Sequence, residues 1–464
     1  MTMGRPGVGS PVAPSRTRRR ADGQAGRLAG VSSRPGAGRL AFLEPFTLPG
    51  FRWTWLTVLT FNSGRYGLIL VGGQEAFRLT GSPIWSSLIM MFLLGPMLVL
   101  GPVAGAVADR YNRIVLMRLA GLIAAAACGA NALLRGLPEV RLGVVVGVSV
   151  VVGIGSALFS PAWQAIVPSV LGTRRLLGGG AFTQLAAQGG GFLGPALGTP
   201  IVLLLGPTAG FGYCAALYVL AAVLTLRIPK GDGQPTQAPE RAGTLTRVLQ
   251  GVRYIRADRR VAGVIVLTGF HCMLTMAFLG LLPGFAAGRL DSPSAYGTLV
   301  TALGLGAVIG ALALAFFSAR IATTPVLLAS AVGSGLLLVC LGVTDSVPLA
   351  IAAAACSGAA QAIFMAASYS AIQTMTANPF RGRVASVSTM LNAGSMGVLG
   401  LGWGAAADAS SESLMLIVLG AAFLVVVAVF YLRFTPLRAW HGLDQAGGAA
   451  LTRPAHPGLI GNAG

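Results

Sequence analysis

The sequence predicts an all-α membrane protein of twelve transmembrane helices, arranged as two pseudo-symmetric six-helix halves. Three observations carry this expectation. Of 464 residues, 54% are hydrophobic and only 10% charged. Soluble domains carry about 25% charged residues, so a chain of this length could not cover a soluble surface. Twelve stretches have the length, roughly 20 mostly apolar residues, that a spanning helix needs. Finally, a shift of 206 residues, the distance from Gly191 to Gly397, superposes landmarks of the first six stretches on the last six.

In chain order, residues 1–50 are rich in Gly, Pro, Ser and Arg and read as a disordered basic tail. Spans 1–6 are expected near 52–77, 83–106, 114–134, 142–169, 178–205 and 208–228, forming an N-terminal half over 51–228. The polar stretch 229–260 is the linker. Its Arg247, Arg253, Arg256, Arg259 and Arg260 suggest an amphipathic segment on an anionic leaflet. Spans 7–12 are expected near 261–287, 296–318, 325–343, 347–376, 384–407 and 413–434, a C-terminal half over 261–435, before a disordered tail at 436–464. Under the 206-residue shift Gly191, Gly194 and Gly198 fall on Gly397, Gly400 and Gly404, Ala165 and Ile166 on Ala371 and Ile372, Asn62 on Thr268, and Arg65 on His271. Parallel six-helix halves around a central site are a transporter arrangement.

The formal net charge is +20, from 33 Lys+Arg against 13 Asp+Glu, and Lys230 is the sole lysine. Nucleic-acid binding is not expected, because the excess arginine sits in tails and loops beside apolar stretches, as the positive-inside rule produces. That rule makes both termini and the loops 107–113, 172–177, 229–260, 319–324 and 377–383 cytoplasmic, in a multi-pass protein of a bacterial inner membrane. The five cysteines are dispersed through apolar runs, and no spacing suggests a metal site or a cofactor. No P-loop, nucleophile elbow or pair of catalytic carboxylates is present, so an enzyme is not expected.

Between spans 2 and 3 the chain reads Gly105-Ala-Val-Ala-Asp109-Arg110-Tyr-Asn-Arg113. Gly105 would let a neighbouring helix approach, Asp109 would cap or pair at a helix end, and Asn112 tolerates a left-handed turn as glycine does. This stretch resembles the loop signature of the major facilitator superfamily. Span 5 carries Gly190-Gly-Phe-Leu-Gly194-Pro195-Ala-Leu-Gly198-Thr199, which resembles that superfamily's antiporter motif, with Thr199 in the last glycine place. Leu79-Thr-Gly-Ser82, Pro161 and Pro168 in span 4, and Arg381-Gly-Arg383-Val resemble its enterobactin-exporter and macrolide-efflux branch. The resemblance covers about 51–435. It implies that the Gly105–Arg113 loop latches the halves in the outward-open state, that the span 5 motif marks an exporter working by exchange, and that spans 1, 4, 7 and 10 line the cavity.

Polar groups within the bilayer are costly and are functional candidates by default. Asn62 and Arg65 share one face of span 1; Thr268, His271 and Thr275 form a stripe on span 7. Trp163 and Gln164 on span 4 and Gln361 on span 10 complete the expected substrate cavity; the alternative for each is a bond to neighbouring backbone. His271 and Glu75 are the candidates for proton coupling, histidine because it titrates near neutrality, Glu75 with the alternative of pairing Arg78. The expected function is a proton-coupled exporter of an amphipathic small molecule, working as a monomer by alternating access. An uptake symporter or facilitator of the same fold, or a non-transporting sensor or assembly protein, are the alternatives.

Overall fold

The computed structural model describes residues 41–133, 141–234, 244–317, 323–377 and 380–433, without the side chains of 41–43, 109, 132, 168, 172–184, 188, 244–245, 247, 315–317 and 323. It divides into two units, Met1–Glu44 and Pro45–Gly464, and all spans belong to the second.

Among the described residues eleven helices are long and apolar enough to cross a membrane. The twelfth is span 1, Pro49–Thr80. It has the length, but Asn62, Arg65 and its threonines make it more polar than the rest. Proline opens several helices, at Pro49, Pro83, Pro96 and Pro207. There its missing N–H is not needed and its fixed φ suits the first turn. Span 1 ends where Gly81 takes a left-handed φ of 69° and donates its N–H to the Phe77 carbonyl at 2.7 Å.

Span 2 is interrupted at Gly95, where Pro83–Leu94 and Pro96–Arg110 meet. Pro96 has no N–H to give the Phe92 carbonyl, and that carbonyl lies against Gly153 of span 4, where no Cβ would fit. Span 3 is Arg113–Leu133 and span 6 is Pro207–Leu224.

Spans 4 and 5 form one unbroken run of 65 helical residues, Arg141–Leu205. A straight helix of that length would be roughly 98 Å, about three times the bilayer core. The chain therefore reverses within it, and the contacts with span 1 show where. Val145 lies by Gly72, Phe159 stacks on Phe61 at 3.7 Å, and Val167 clusters with Phe51, so 141–171 runs antiparallel to span 1. Gly190 then meets Asn62, Gly194 meets Gly67, and Gly198 meets Leu70, so 185–205 runs parallel to it. The turn falls in 172–184, which includes the expected loop 172–177 with Arg174 and Arg175; their side chains are outside those described.

The linker contains a 3₁₀ turn, Lys230–Gly233, and a surface helix, Thr244–Ala257. This helix does not simply lie on lipid. Gly251 abuts the Arg383 carbonyl of span 11, Tyr254 stacks on Phe380 at 4.8 Å, and the Ala377 N–H donates to Tyr254 Oη at 3.1 Å. Arg253 and Arg256 stay exposed.

Span 7 departs most from the expected continuous helix. Asp258 caps it, accepting the Arg260 and Val261 N–H groups. The α-helix runs Arg259–His271, then widens into a π-turn at Cys272–Met276, tightens to 3₁₀ over Ala277–Gly280, and resumes at Leu282–Gly288. Thr275 contributes locally by donating its hydroxyl to the His271 carbonyl at 2.9 Å. Spans 8–12 are Ala295–Phe317, Thr323–Val343, Val347–Met375, Arg381–Asp408 and Glu412–Arg433.

Candidate functional site

The halves meet where small residues permit close approach. Spans 2 and 11 touch through Gly397 against Gly95 and Gly404 against Ser87; spans 5 and 8 touch through Gly304 against Gly191 and Gly297 against Thr199. Pro195 explains one of these contacts. It cannot donate to the Gly191 carbonyl, and that carbonyl is what Gly304 packs on. On the far face, the side opposite the arginine-rich loops, hydrogen bonds cross the seam. There Ser82 Oγ donates to Asp408 Oδ2 at 2.5 Å, and Tyr296 Oη of span 8 donates to the Ile69 carbonyl of span 1 at 3.3 Å.

Gly101 meets Met390, but a Cβ at Gly105 would have nothing within 4 Å. The close neighbour expected at Gly105 is thus absent in this conformation. Arg110 is exposed. Arg113 is only 8% exposed and donates from Nη1 to the Ala165 carbonyl at 3.2 Å, tying the loop to span 4. Asn112 makes no left-handed turn. Its Oδ1 accepts the Ile114 N–H at 3.0 Å and the Val115 N–H at 3.3 Å, which caps span 3. The Asp109 side chain lies outside those described.

On span 1, Asn62 is buried, donates to the Val58 carbonyl at 2.8 Å and is pressed against Gly190. It packs the contact between spans 1 and 5 rather than facing open space. Gly194 meets the Ser63 carbonyl, and Tyr213 Oη donates to the Gly194 carbonyl at 3.1 Å. Arg65 is half-buried with its guanidinium 5.3 Å from the Tyr66 ring, and its enclosed Nε has no partner among the described residues. On span 4, Trp163 is half-buried against the N-terminal core, while Gln164 is exposed and donates to Ser160 Oγ at 2.9 Å.

His271 is not at the seam. It is wholly enclosed within the C-terminal half, stacked on Phe364 of span 10 at 4.1 Å and edge-on to Phe423 of span 12 at 5.3 Å. The N-terminal half has an aromatic cluster on its own spans 1, 4 and 6, Phe61 with Phe159 and Tyr218. The repeat that aligns Arg65 with His271 therefore relates positions but not surroundings. Ser334 spends its hydroxyl hydrogen on the Ser330 carbonyl, so the 3.3 Å contact between Ser334 Oγ and His271 Nε2 needs the proton on Nε2. That assignment leaves Nδ1 as a lone pair, buried and without a partner.

Thr268 donates to the Val264 carbonyl at 2.7 Å, the backbone alternative foreseen for it. Gln361 donates to the Thr275 carbonyl and to Ser357 Oγ, each at 3.0 Å. Trp403 of span 11 donates its indole N–H to the Met273 carbonyl at 2.9 Å. Sequence reasoning passed over Trp403. The available signal was a bulky indole placed between Gly402 and Gly404 of a glycine-rich span.

Glu75 does not meet water. Its side chain is 1% exposed and clamped by two arginines: Arg78 donates from Nε at 2.8 Å and from Nη2 at 3.0 Å, and Arg141 from Nη2 at 2.8 Å. A small cleft beside it is lined by Asn131, Val144, Thr208 and Phe211. Glu75 and His271 are thus in separate halves, and neither adjoins Arg65 among the contacts described.

Residues 40–457 match the family described as transmembrane secretion effector. The enterobactin exporter of Escherichia coli strain K12 is 28% identical over 408 residues, covering 84% of this chain and 95% of that one. Solved structures share the fold at lower identity. A POT family transporter in complex with 5-aminolevulinic acid superposes with a TM-score of 0.67 at 16% identity, over 83% of this chain and 96% of that one. A bacterial homologue of the human lysosomal transporter Spinster, in an inward-facing and unoccupied conformation, gives 0.63 at 16% identity over 88% and 98%.

Proposed function

Since the chain belongs to the transmembrane secretion effector family of major facilitator transporters, we propose that it exports an amphipathic small molecule from a bacterial cell in exchange for protons. Both termini and the arginine face are placed in the cytoplasm by the positive-inside rule. On that orientation the described conformation is closed to the outside, ready to load from the cytoplasm. The observation that carries the reading is the seam itself, two repeat-related halves in close glycine contact and joined by Ser82–Asp408 on the far face, while a Cβ at Gly105, near the arginine face, would meet nothing among the described residues. Such a seam suits alternating access, in which the halves rock about a midplane site.

Arg65 supplies the cavity with a fixed positive charge for an anionic or electron-rich group of the substrate. For the proton, His271 is favoured over Glu75, whose oxygens are both engaged by arginines. Nδ1 of His271 has no partner among the described residues, so a proton taken there would displace no existing bond.

Everted membrane vesicles test the reading. Offered a panel of dyes, macrolides and siderophores, vesicles with an acidic lumen should accumulate at least one compound more than vesicles lacking the protein, and lose it when a protonophore collapses the gradient. Accumulation that ignores the protonophore would refute proton coupling. Movement only down the substrate's own gradient, or none at all across the panel, would refute active export.

A further inference from the structure

Three sulfur side chains meet at the π-turn of span 7. Cys272 Sγ lies 3.9 Å from Met276 Sδ, one turn further along the same span, and 3.9 Å from Met365 Sδ of span 10. Cys272 is only 2% exposed, while Met276 and Met365 are half-buried, so the group is enclosed at its thiol and reaches the molecular surface at its methionines. Spacing in the chain gives no hint of it, since Met365 stands 93 residues beyond Cys272. Two of the three sulfurs belong to the residues that begin and end the π-turn, and single π-turns inside helices are frequent at functional sites.

Packing alone does not call for sulfur here. Under the 206-residue shift the three positions correspond to Tyr66, Leu70 and Phe159, and the N-terminal half fills them without it. Two sulfurs held by one ion in a trigonal arrangement, with bonds of roughly 2.3 Å, stand about 4.0 Å apart. Both separations from Cys272 match that spacing. A thiolate with two thioethers is a soft donor set, of the kind that selects Cu(I) over harder ions. Charge points the same way. A Cu(I) ion takes the place of the thiol proton, which leaves to water, so the site gains no net charge and no electron is transferred. Within the bilayer, where an uncompensated charge is costly, this favours a monovalent ion. A divalent ion would keep one positive charge, and among the described residues no group of three or more His, Cys, Asp or Glu is placed to hold a metal. His271, next in the chain, has its ring against Phe364, Phe423 and Ser334.

We propose that Cys272, Met276 and Met365 bind one soft monovalent metal ion of the Cu(I) class, and that the ion ties span 7 to span 10. The inference does not rest on the export reading, and its test needs neither a transported substrate nor a gradient.

The full chain, purified in lipid nanodiscs under anaerobic reducing conditions, is titrated with Cu(I) supplied as its bicinchoninate complex, whose loss of colour counts the copper taken up. The wild type should remove one more Cu(I) per chain than Cys272→Ser. X-ray absorption of the one-copper form should show only sulfur around the ion, at roughly 2.3 Å. Met276→Leu and Met365→Leu keep the thiol and nearly conserve side-chain volume. Loss of even an outer partner of a metal site typically costs about 10–100-fold in affinity, so loss of either thioether should weaken uptake by at least about tenfold. Uptake by both leucine variants equal to the wild type would reduce the site to adventitious coordination by a lone thiol and overturn the proposal. Equal uptake by the wild type and Cys272→Ser would also overturn it. If Cys272→Ser fails to accumulate, the leucine variants decide. If they fail as well, the overturning result is a wild type that takes up no copper or surrounds it with nitrogen or oxygen. A failed copper site leaves the export reading standing, and failed export leaves the copper site standing.

Discussion

Arg65 and His271 occupy equivalent positions in the repeat and live in different surroundings, so their substitutions should part company. Arg65 is half-buried with an unsatisfied Nε; Arg65→Gln should weaken substrate affinity at every pH, read as a raised KM. His271 is enclosed by aromatic rings; His271→Gln should flatten the pH dependence of export and abolish uphill transport while leaving binding largely intact. A His271→Gln protein that still builds a full gradient makes the histidine a packing residue. Glu75 pairs with Arg78, the alternative expected for it, and with Arg141 as well. It sits near the end of span 1 in the sequence, yet its carboxylate is buried between Arg78 and Arg141. Hydrogen bonds to charged groups contribute about 1.5–3 kcal/mol each before solvent screening. Arg78 and Arg141 are about half and one-third exposed, which lowers that figure. Glu75→Gln should therefore lower the thermal stability of the purified protein by no more than about 1–2 kcal/mol, and a wild-type melting profile would show the clamp to be inert.

At the scale of elements, the spans were legible because a bilayer demands about 20 apolar residues and tolerates little else. Val347–Met375 falls within a residue of its expected limits. What escaped was geometry that hydropathy does not encode. The interruption at Gly95 follows from Pro96 and was open to reading. Two carbonyls of the π-turn at Cys272 are met by Gln361 and Trp403, which approach from spans far along the chain. Asn62 and Thr268 were expected to face a cavity because they are polar, but each spends its donor on the preceding helical turn. Polarity marks a candidate; only neighbours decide its role. The glycines of the seam give an element-scale prediction. Gly304→Ala would drive a Cβ into the backbone of Gly191 and Phe192, which cannot yield as a flexible side chain would. The closed far face should lose population, so disulfide formation in S82C/D408C should slow several-fold when Gly304→Ala is added. Gly402→Ala, with open space around it, is the control that should change nothing.

For the whole molecule, one conformation constrains the other. Alternating access requires a second state in which the far face parts and the arginine face closes. The Gly105–Arg113 loop is where that second state should be stabilised, yet here a Cβ at Gly105 would meet nothing within 4 Å among the described residues, while Arg113 and Asn112 serve spans 4 and 3 within their own half. A small branched side chain at Gly105 should therefore be accommodated in the described state and obstruct the other. Gly105→Val should fold normally and hold the protein with its far face closed. Disulfide formation in S82C/D408C should then be at least as fast as in the Gly105 parent, and export should fall. Coupling between global states is about 1–3 kcal/mol, so the populations should shift roughly 5–150-fold. Asp109→Asn should act in the same direction if its carboxylate helps hold the second state. The pairing of results is what discriminates. Lost export with faster cross-linking identifies the loop as a latch for the opposite conformation. Lost export with slower cross-linking would mean that the valine disturbs the described state as well, contrary to the open space around Gly105. Export at the wild-type rate would reduce the loop to a topological anchor that keeps its arginines on one side of the membrane.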